Sequence, residues 1–134
     1  ADWEQEAESA LALVLLLDQM PRNMFRGTPR VYASDAQARG VAGRAIVRGF
    51  DLQAEAALRP FFYLPFSHSE DLADQERALG LYATLDDPEE LKWARRHHGI
   101  VARFGRFPHR NAILGRESTA EEIAWLAEEG SFKG

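Results

Sequence analysis

The organisation of this chain is set by residues 104–118, FGRFPHRNAILGRES, a long irregular segment between two helical patterns. It carries three arginines, a histidine, an asparagine and two phenylalanines among two glycines and a proline. Gly and Pro favour turns, whereas Phe is a side chain that buries and Arg is one that binds anions. The segment is therefore more than a linker, because it holds both groups for packing and groups for binding.

The segment before it has the clearest helix signal in the chain. Asp87 is expected as the N-cap, Pro88 as the first helical residue and Glu90 as the reciprocal capping partner. Apolar residues at three- and four-residue steps predict a helix over 88–103, which Gly105 ends.

Similar spacing of apolar residues predicts further helices along the chain. Capping boxes are expected at Ser34 with Gln37 and at Ser118 with Glu121, and a simple N-cap at Ser69. The final helix is expected to be short and amphipathic and to end at Gly130, with residues 131–134 frayed. The other predicted helices are 3–19, 35–48, 56–66 and 70–85.

No alternating strand pattern of any length is present, so the predicted fold class is all-α, with about six helices in stacked antiparallel hairpins. The chain has 134 residues, which fits one domain over 1–134. Its apolar run at residues 11–17 is too short to span a bilayer and indicates a buried central helix.

The overall composition excludes several kinds of site. The net charge is −5, which disfavours a general nucleic-acid binder. The sequence has no cysteine, so it offers no disulfide, no thiolate nucleophile and no cysteine-ligated metal. A reducing cytoplasm is compatible with this composition, and we expect a cytoplasmic location.

Three segments, here called the first, second and third signature segments, resemble the signatures of a bacterial family of uncharacterised proteins. They are LLLDQMPRNMFRGTP at 15–29, YLPFSHSED at 63–71, and the opening segment at 104–118. The resemblance implies a tetratricopeptide-like helical fold and no established activity. Members of that family usually carry an additional N-terminal helical segment before the first signature, and we expect that this chain lacks it.

Each signature segment places polar side chains at the end of an apolar helix, and helix ends gathered on one side of a bundle would form a polar cleft. We therefore expect the three groups to meet. The candidate ligand-binding residues are Asp18, Arg22, Asn23, Arg26, Arg106, Arg110 and Asn111, and the candidate catalytic residues are His68, Glu70 and His109.

The sequence leaves three interpretations of these residues open. The arginines can pin loops through ion pairs, for example Asp18 with Arg110 or Glu70 with Arg106. They can bind an anionic small molecule or an acidic peptide segment. A histidine oriented by a carboxylate can also act as a general base in a hydrolase-type enzyme.

The sequence also bears on a peptide, an RNA and a metal ion as ligands. Arg22, Arg26, Arg30, Arg103, Arg106 and Arg110 are the arginines that a peptide groove would use. RNA is a third option, since Tyr32 and Phe107 offer rings for stacking, but the net charge disfavours it. No metal site is expected at His68, Glu70, Asp71 and Asp74 or at His97 and His98, and no cofactor is expected.

Overall fold

The computed structural model describes residues 2–129, and all regular secondary structure in that range is helical, which confirms the all-α prediction. The predicted helix end at Gly130 and the fraying of 131–134 lie outside the described residues. The helices are α1 (Ala7–Leu17), α2 (Gln19–Met24), α3 (Asp35–Val47), α4 (Phe50–Gln53), α5 (Pro60–Ser67), α6 (Leu72–Ala83), α7 (Pro88–Phe104), α8 (Asn111–Leu114) and α9 (Ala120–Glu129). Short 3-10 turns cover Asp2–Glu4, Pro29–Tyr32 and Pro108–Arg110.

Two predicted helices begin four residues later in the structure than the sequence predicts. The helix expected over 3–19 starts at Ala7, and Trp3 is 51% exposed rather than packed in its stripe. The chain turns at Asp18 and continues as α2, which contains Pro21 in its first turn, where a backbone N–H is not needed. The helix expected over 56–66 begins only at Pro60, because proline is suited to the first helical position.

The N-cap at Asp87 and the helix end at Gly105 are confirmed, whereas the Glu90 side chain forms no reciprocal bond to the Asp87 amide among the described residues. Asp87 Oδ1 accepts hydrogen bonds from the amides of Glu89 and Glu90 at 3.1 and 3.3 Å. Gly49 and Gly105 follow α3 and α7 with φ of 74° each, a left-handed conformation that favours glycine.

Three other cap predictions are wrong, because a neighbouring residue or a distant segment competes for the same group. The hydroxyl of Ser34 donates to the carbonyl of Leu17 at 2.6 Å and does not cap α3. Asp71 caps α6 in place of Ser69. The final capping box lies one residue later than predicted, at Thr119 and Glu122.

Helices that follow one another in the chain pack against one another. Contacts join α1 to α3, α3 to α5, α5 to α6 and α6 to α7, and α5 also contacts α1 and α7. The main core includes Ala10 and Val14 of α1, and Phe62, Tyr63 and Phe66 of α5. Alanines of α3 allow close helix packing, as the sequence indicates. A repeat relation among these hairpins stays a prediction.

Helix α9 packs against the end of α7 through a smaller apolar cluster. Trp125 lies against Phe104 with ring centroids 5.5 Å apart, beside Ile100, Val101 and Phe107. Ile123, expected on the buried face of this helix, is 60% exposed. Glu122 is the buried residue one position earlier, and Arg106 donates to both of its oxygens at 2.9 and 2.8 Å.

No helix in the described part of the chain is long and apolar enough to cross a membrane.

The Arg106–Glu122 pair predicts a specific dependence of stability on pH. Hydrogen bonds from Arg106 hold the pKa of Glu122 at about 2, below its ordinary value of 4.5. Because the unfolded chain then takes up the proton first as pH falls, the stabilisation is present above about pH 4.5 and is lost towards pH 2. Urea denaturation should show Glu122→Gln less stable than wild type at pH 7, with the difference shrinking below pH 4.5. A difference that is constant from pH 7 to pH 3 would contradict this assignment.

Candidate functional site

A buried carboxylate joins the end of α1 to the end of α5. Asp18 is 1% exposed, and its Oδ1 lies 2.8 Å from Nδ1 of His68. Burial alone would raise the pKa of Asp18, but the charges and hydrogen bonds of His68 and Arg22 outweigh it and hold the pKa below its usual value. The first and second signature segments therefore meet, as the sequence predicts.

Arg22 connects this carboxylate to the start of α3. Its Nη1 donates to Asp18 Oδ1 at 3.0 Å and to Asp35 Oδ1 at 2.9 Å, while its Nη2 donates to Asp35 Oδ2 at 3.0 Å. The sequence reasoning missed Asp35, although a carboxylate in the first turn of a helix is a recognisable signal. With two carboxylate partners, Arg22 pins α2 onto α1 and α3.

The backbone that carries His68 is fixed from two directions. Gln75 is fully buried, and its Nε2 donates to the carbonyls of Ser67 and Ser69 at 2.8 and 2.7 Å. Arg110 Nη2 donates to the carbonyl of His68 itself at 2.7 Å. Helix α6 and the third signature segment together therefore set the position of this histidine.

Arg110 is a buried cation with few partners. It is 6% exposed, and its guanidinium carbon lies 4.3 Å from the ring centroid of Tyr32 and 4.7 Å from that of Phe107. Its Nε is buried without a hydrogen-bond partner, and no described carboxylate forms an ion pair with it. Burial lowers the pKa of Arg110 from its usual range, so holding this charge costs free energy.

Glu70 ties the third signature segment to the second, but through a different arginine from the one expected. Arg116 donates to both of its oxygens at 2.8 and 2.9 Å, and the amide of Phe107 donates to Oε2 at 2.7 Å. Burial would raise the pKa of Glu70, but these donors hold it below its usual value. Asn111 accepts from Arg116 Nε at 3.0 Å, so this part of the segment is an internally bonded loop.

Both ion pairs suggested by the sequence are therefore wrong in their partners. Asp18 pairs with His68 and Arg22 rather than with Arg110, and Glu70 pairs with Arg116 rather than with Arg106. Arg106 instead binds Glu122. These pairings match the pinning interpretation for Arg22 and Arg106 and leave the buried Arg110 without a carboxylate partner among the described residues.

A polar pocket of about 360 Å³ opens where these segments meet. His68, Glu70 and Arg110 of the second and third signature segments line it directly, whereas no residue of the first segment does. Asp18 and Arg22 of the first segment act only through their bonds to the lining residues His68 and Asp35. The other lining side chains discussed below are Tyr32, Asp35, Arg39 and Asp71. We refer to this feature as the polar pocket.

The remaining predicted site residues do not line the polar pocket. Asn23 and Arg26 are exposed and bond to no described residue. His109 is half-buried beside Phe107, and burial together with the charge of Arg110 lowers its pKa to about 4, so its imidazole is neutral at pH 7. Asn111 is 1% exposed and serves the loop through Arg116 and Ser118.

The described residues contain no group of three or more His, Asp or Glu side chains arranged to hold a metal ion. The buried contact between His68 and Asp18 is an arrangement suited to proton transfer or to hydrogen bonding of a ligand.

Comparison with known proteins places the chain in a family. A family model described as bacterial protein of unknown function (DUF924) matches residues 1–130. The chain belongs to the DUF924 family. The resemblance carried by the three signature segments is thus confirmed.

A solved DUF924-like structure has the same fold. The chain is similar to the protein of unknown function ATU0120 from Agrobacterium tumefaciens, with 56% sequence identity and a TM-score of 0.92. The match covers 95% of this chain and 72% of that one. No curated protein is significantly similar to this DUF924 chain. The comparisons therefore establish family and fold and name no activity.

The position of Asp18 predicts a large loss of stability on its removal. Asp18→Ala leaves His68 without its buried acceptor and Arg22 with only Asp35, and the free energy of unfolding should fall by about 3 kcal/mol. Glu8→Ala, an exposed acid on the same helix, should change it by less than about 0.5 kcal/mol. Equal urea-denaturation midpoints for the two variants would show that the Asp18 contacts do not hold the fold.

Proposed function

We propose that this protein binds an anionic small molecule, carrying a carboxylate or phosphate group, in the polar pocket. The observation that carries this proposal is Arg110, a buried guanidinium in the pocket wall without a carboxylate partner among the described residues. A planar guanidinium presents donors in a fork that matches a carboxylate or a phosphate.

The free energy of the empty site supports an anion in particular. A desolvated cation that donates only to one carbonyl is poorly compensated, and an anion bound beside it replaces the lost hydration with charge-assisted hydrogen bonds. The rings of Tyr32 and Phe107 both pack against the guanidinium of Arg110 and limit its movement. Arg110 is thus oriented before a ligand arrives, which lowers the entropy lost on binding.

The acidic side chains of the polar pocket differ in how strongly they would repel a bound anion. Arg22 donates to both oxygens of Asp35 while it also pairs with Asp18, and Arg116 donates to both oxygens of Glu70. Arg39 also lines the pocket, and its Nε lies 3.5 Å from Oδ2 of Asp74, which is a longer ion pair than those of Arg22 and Arg116. Asp71 is exposed and directs one oxygen to the amide of Ala73 as the cap of α6.

The volume of the pocket supports a small molecule rather than an acidic peptide segment, the two classes of anionic ligand that the sequence leaves open. A volume of about 360 Å³ lies at the small end of the range for small-molecule sites, which is about 300–1,000 Å³. It accommodates a small acid or a phosphate ester better than a stretch of peptide. A cytoplasmic location, compatible with the absence of cysteine, is part of the same proposal, and the net charge of −5 disfavours nucleic acid as the ligand.

The binding proposal is tested by a thermal-shift screen with inorganic phosphate, phosphate monoesters and small carboxylates, followed by titration calorimetry of any hit. Arg110→Gln should weaken the hit by roughly tenfold or more, since hydrogen bonds to charged groups contribute about 1.5–3 kcal/mol. Arg26→Gln removes the same charge from an exposed position of the first signature segment and should leave the affinity unchanged.

Circular dichroism must show that Arg110→Gln is folded, and Arg110→Lys, which keeps the charge but loses the fork, serves where it is not. Failure of every anion to bind wild type at millimolar concentration would refute the proposal. So would a hit whose affinity is the same in wild type, Arg110→Gln and Arg110→Lys.

A hydrolase-type enzyme is a second candidate function, favoured by the contact between Asp18 and His68. The carboxylate fixes the ring through Nδ1, and no described residue bonds the second nitrogen, Nε2, of this pocket-lining histidine. In such an arrangement Nε2 takes a proton from an attacking water and the carboxylate stabilises the imidazolium. Arg110 then holds the anionic part of the substrate.

The catalytic candidate predicts hydrolysis of chromogenic 4-nitrophenyl phosphates or carboxylate esters by wild type. His68→Gln should lower the rate by about 100-fold or more, the ordinary contribution of general acid–base catalysis. His98→Gln, on α7 and outside the pocket, should retain full activity. Anion binding without turnover of any such ester would reject catalysis and retain the binding function.

A further inference from the structure

A second concave surface lies along α3, apart from the signature segments. It has a volume of about 450 Å³, and four arginines surround it: Arg39 and Arg44 of α3, Arg48 directly after α3, and Arg77 of α6. We call it the arginine groove. Four cations on one face stand out in a chain whose net charge is −5.

The floor of the arginine groove is apolar and consists mainly of residues with small side chains. It is formed by Gly40, Gly43 and Val47, and Val47 is 83% exposed. At roughly 100° per residue these three positions share one stripe of α3. The same geometry puts Arg39 on one side of the stripe and Arg48 on the other.

Arg77 forms the rim on the side of α6. A Cβ added at Gly43 would lie 3.6 Å from Arg77 Nη1, so this guanidinium reaches over the edge of the floor. Its guanidinium carbon lies 4.5 Å from the centroid of the buried Phe66 ring, which holds it in place. The groove is therefore a channel between two charged edges.

The charges of the channel are only partly compensated within the chain. Glu4 forms an ion pair with Arg44 at 2.7 Å, and its carbonyl accepts from Arg48 at 3.0 Å. Arg48 and Arg77, on opposite edges, have no carboxylate partner among the described residues. Glu4 shows in this structure how a carboxylate-bearing segment of chain docks at one end of the groove.

We propose that the arginine groove binds an extended acidic peptide segment of a partner protein. Acidic side chains of that segment would pair with Arg48 and Arg77, and an apolar side chain between them would cover Val47.

A peptide fits these features better than a nucleic acid does. Single-stranded nucleic acids are bound through aromatic faces on which bases stack. Among the residues that the structure describes, no aromatic ring lines the groove, and its floor offers small and aliphatic groups instead. The proposal is independent of the polar pocket, although Arg39 borders both features, and its test therefore leaves Arg39 unchanged.

The experiment measures fluorescence anisotropy of a labelled octapeptide of alternating Glu and Leu at low ionic strength, with the Gln-and-Leu peptide as the uncharged comparison. Arg48→Gln and Arg77→Gln should each raise the Kd of the acidic peptide by about threefold, and the double variant by about tenfold. Binding should also weaken as salt is added. Arg95→Gln, an exposed arginine of α7 outside the groove, should have no effect.

Val47→Glu gives a second test that does not remove an arginine. The side chain is exposed, so the fold should be kept, while the new charge repels the peptide and should raise its Kd by at least fivefold. Equal affinity for the acidic and uncharged peptides would overturn the proposal, as would wild-type affinity in the double variant. Tighter binding of a single-stranded oligonucleotide of equal charge would overturn it in favour of nucleic acid.

Discussion

The fold depends on one buried carboxylate at the place where α1 ends. Asp18 is almost wholly removed from water, and a buried charge of this kind is stable only when it is paired and hydrogen-bonded. Of its two partners, Arg22 lies four residues later in the same segment and leads to the start of α3, and His68 lies at the end of α5. From His68 the contacts continue through its carbonyl to Arg110 in the third signature segment. The position of the polar pocket follows from satisfying this single acid.

The fold could be predicted from the sequence wherever the signal is local. A proline after an aspartate, as at Asp87, and a glycine at the end of an apolar pattern, as at Gly105, determine helix ends through the backbone of the residue itself. Apolar spacing likewise identifies α1, α3, α6 and α7 as helices. The cap at Ser34 could not be predicted in this way, because its hydroxyl is used by the carbonyl of Leu17, seventeen positions earlier. A hydroxyl has one proton to donate, and sequence proximity does not decide which acceptor receives it.

The sequence indicates which segments gather at the candidate site, but not which of their side chains line the pocket or how these side chains pair. Polar residues at helix ends indicated that the three signature segments gather, and His68, Glu70 and Arg110 do line one pocket. The pairing of each arginine with its acid could not be predicted, because it depends on distances of about 3 Å between segments that lie tens of residues apart. Several arginines compete for few acids, and Arg116 reaches Glu70 where Arg106 was expected. Asp35 and Gln75 were missed for the same reason, since their roles exist only once α3 and α6 are packed.

The resulting division of the arginines bears on function more than their number does. Arg22, Arg106 and Arg116 each hold a carboxylate in a fork, and such pairs use the binding capacity of both partners. Arg110 donates to one carbonyl and lies against two rings, while Glu70 and Asp35 act on it only through charge at longer range. A purely structural arginine in that place would gain stability from a directly bonded carboxylate, which Arg22, Arg106 and Arg116 have. The side chain that the protein buries and leaves without an anion is therefore the one whose anion is expected to come from outside.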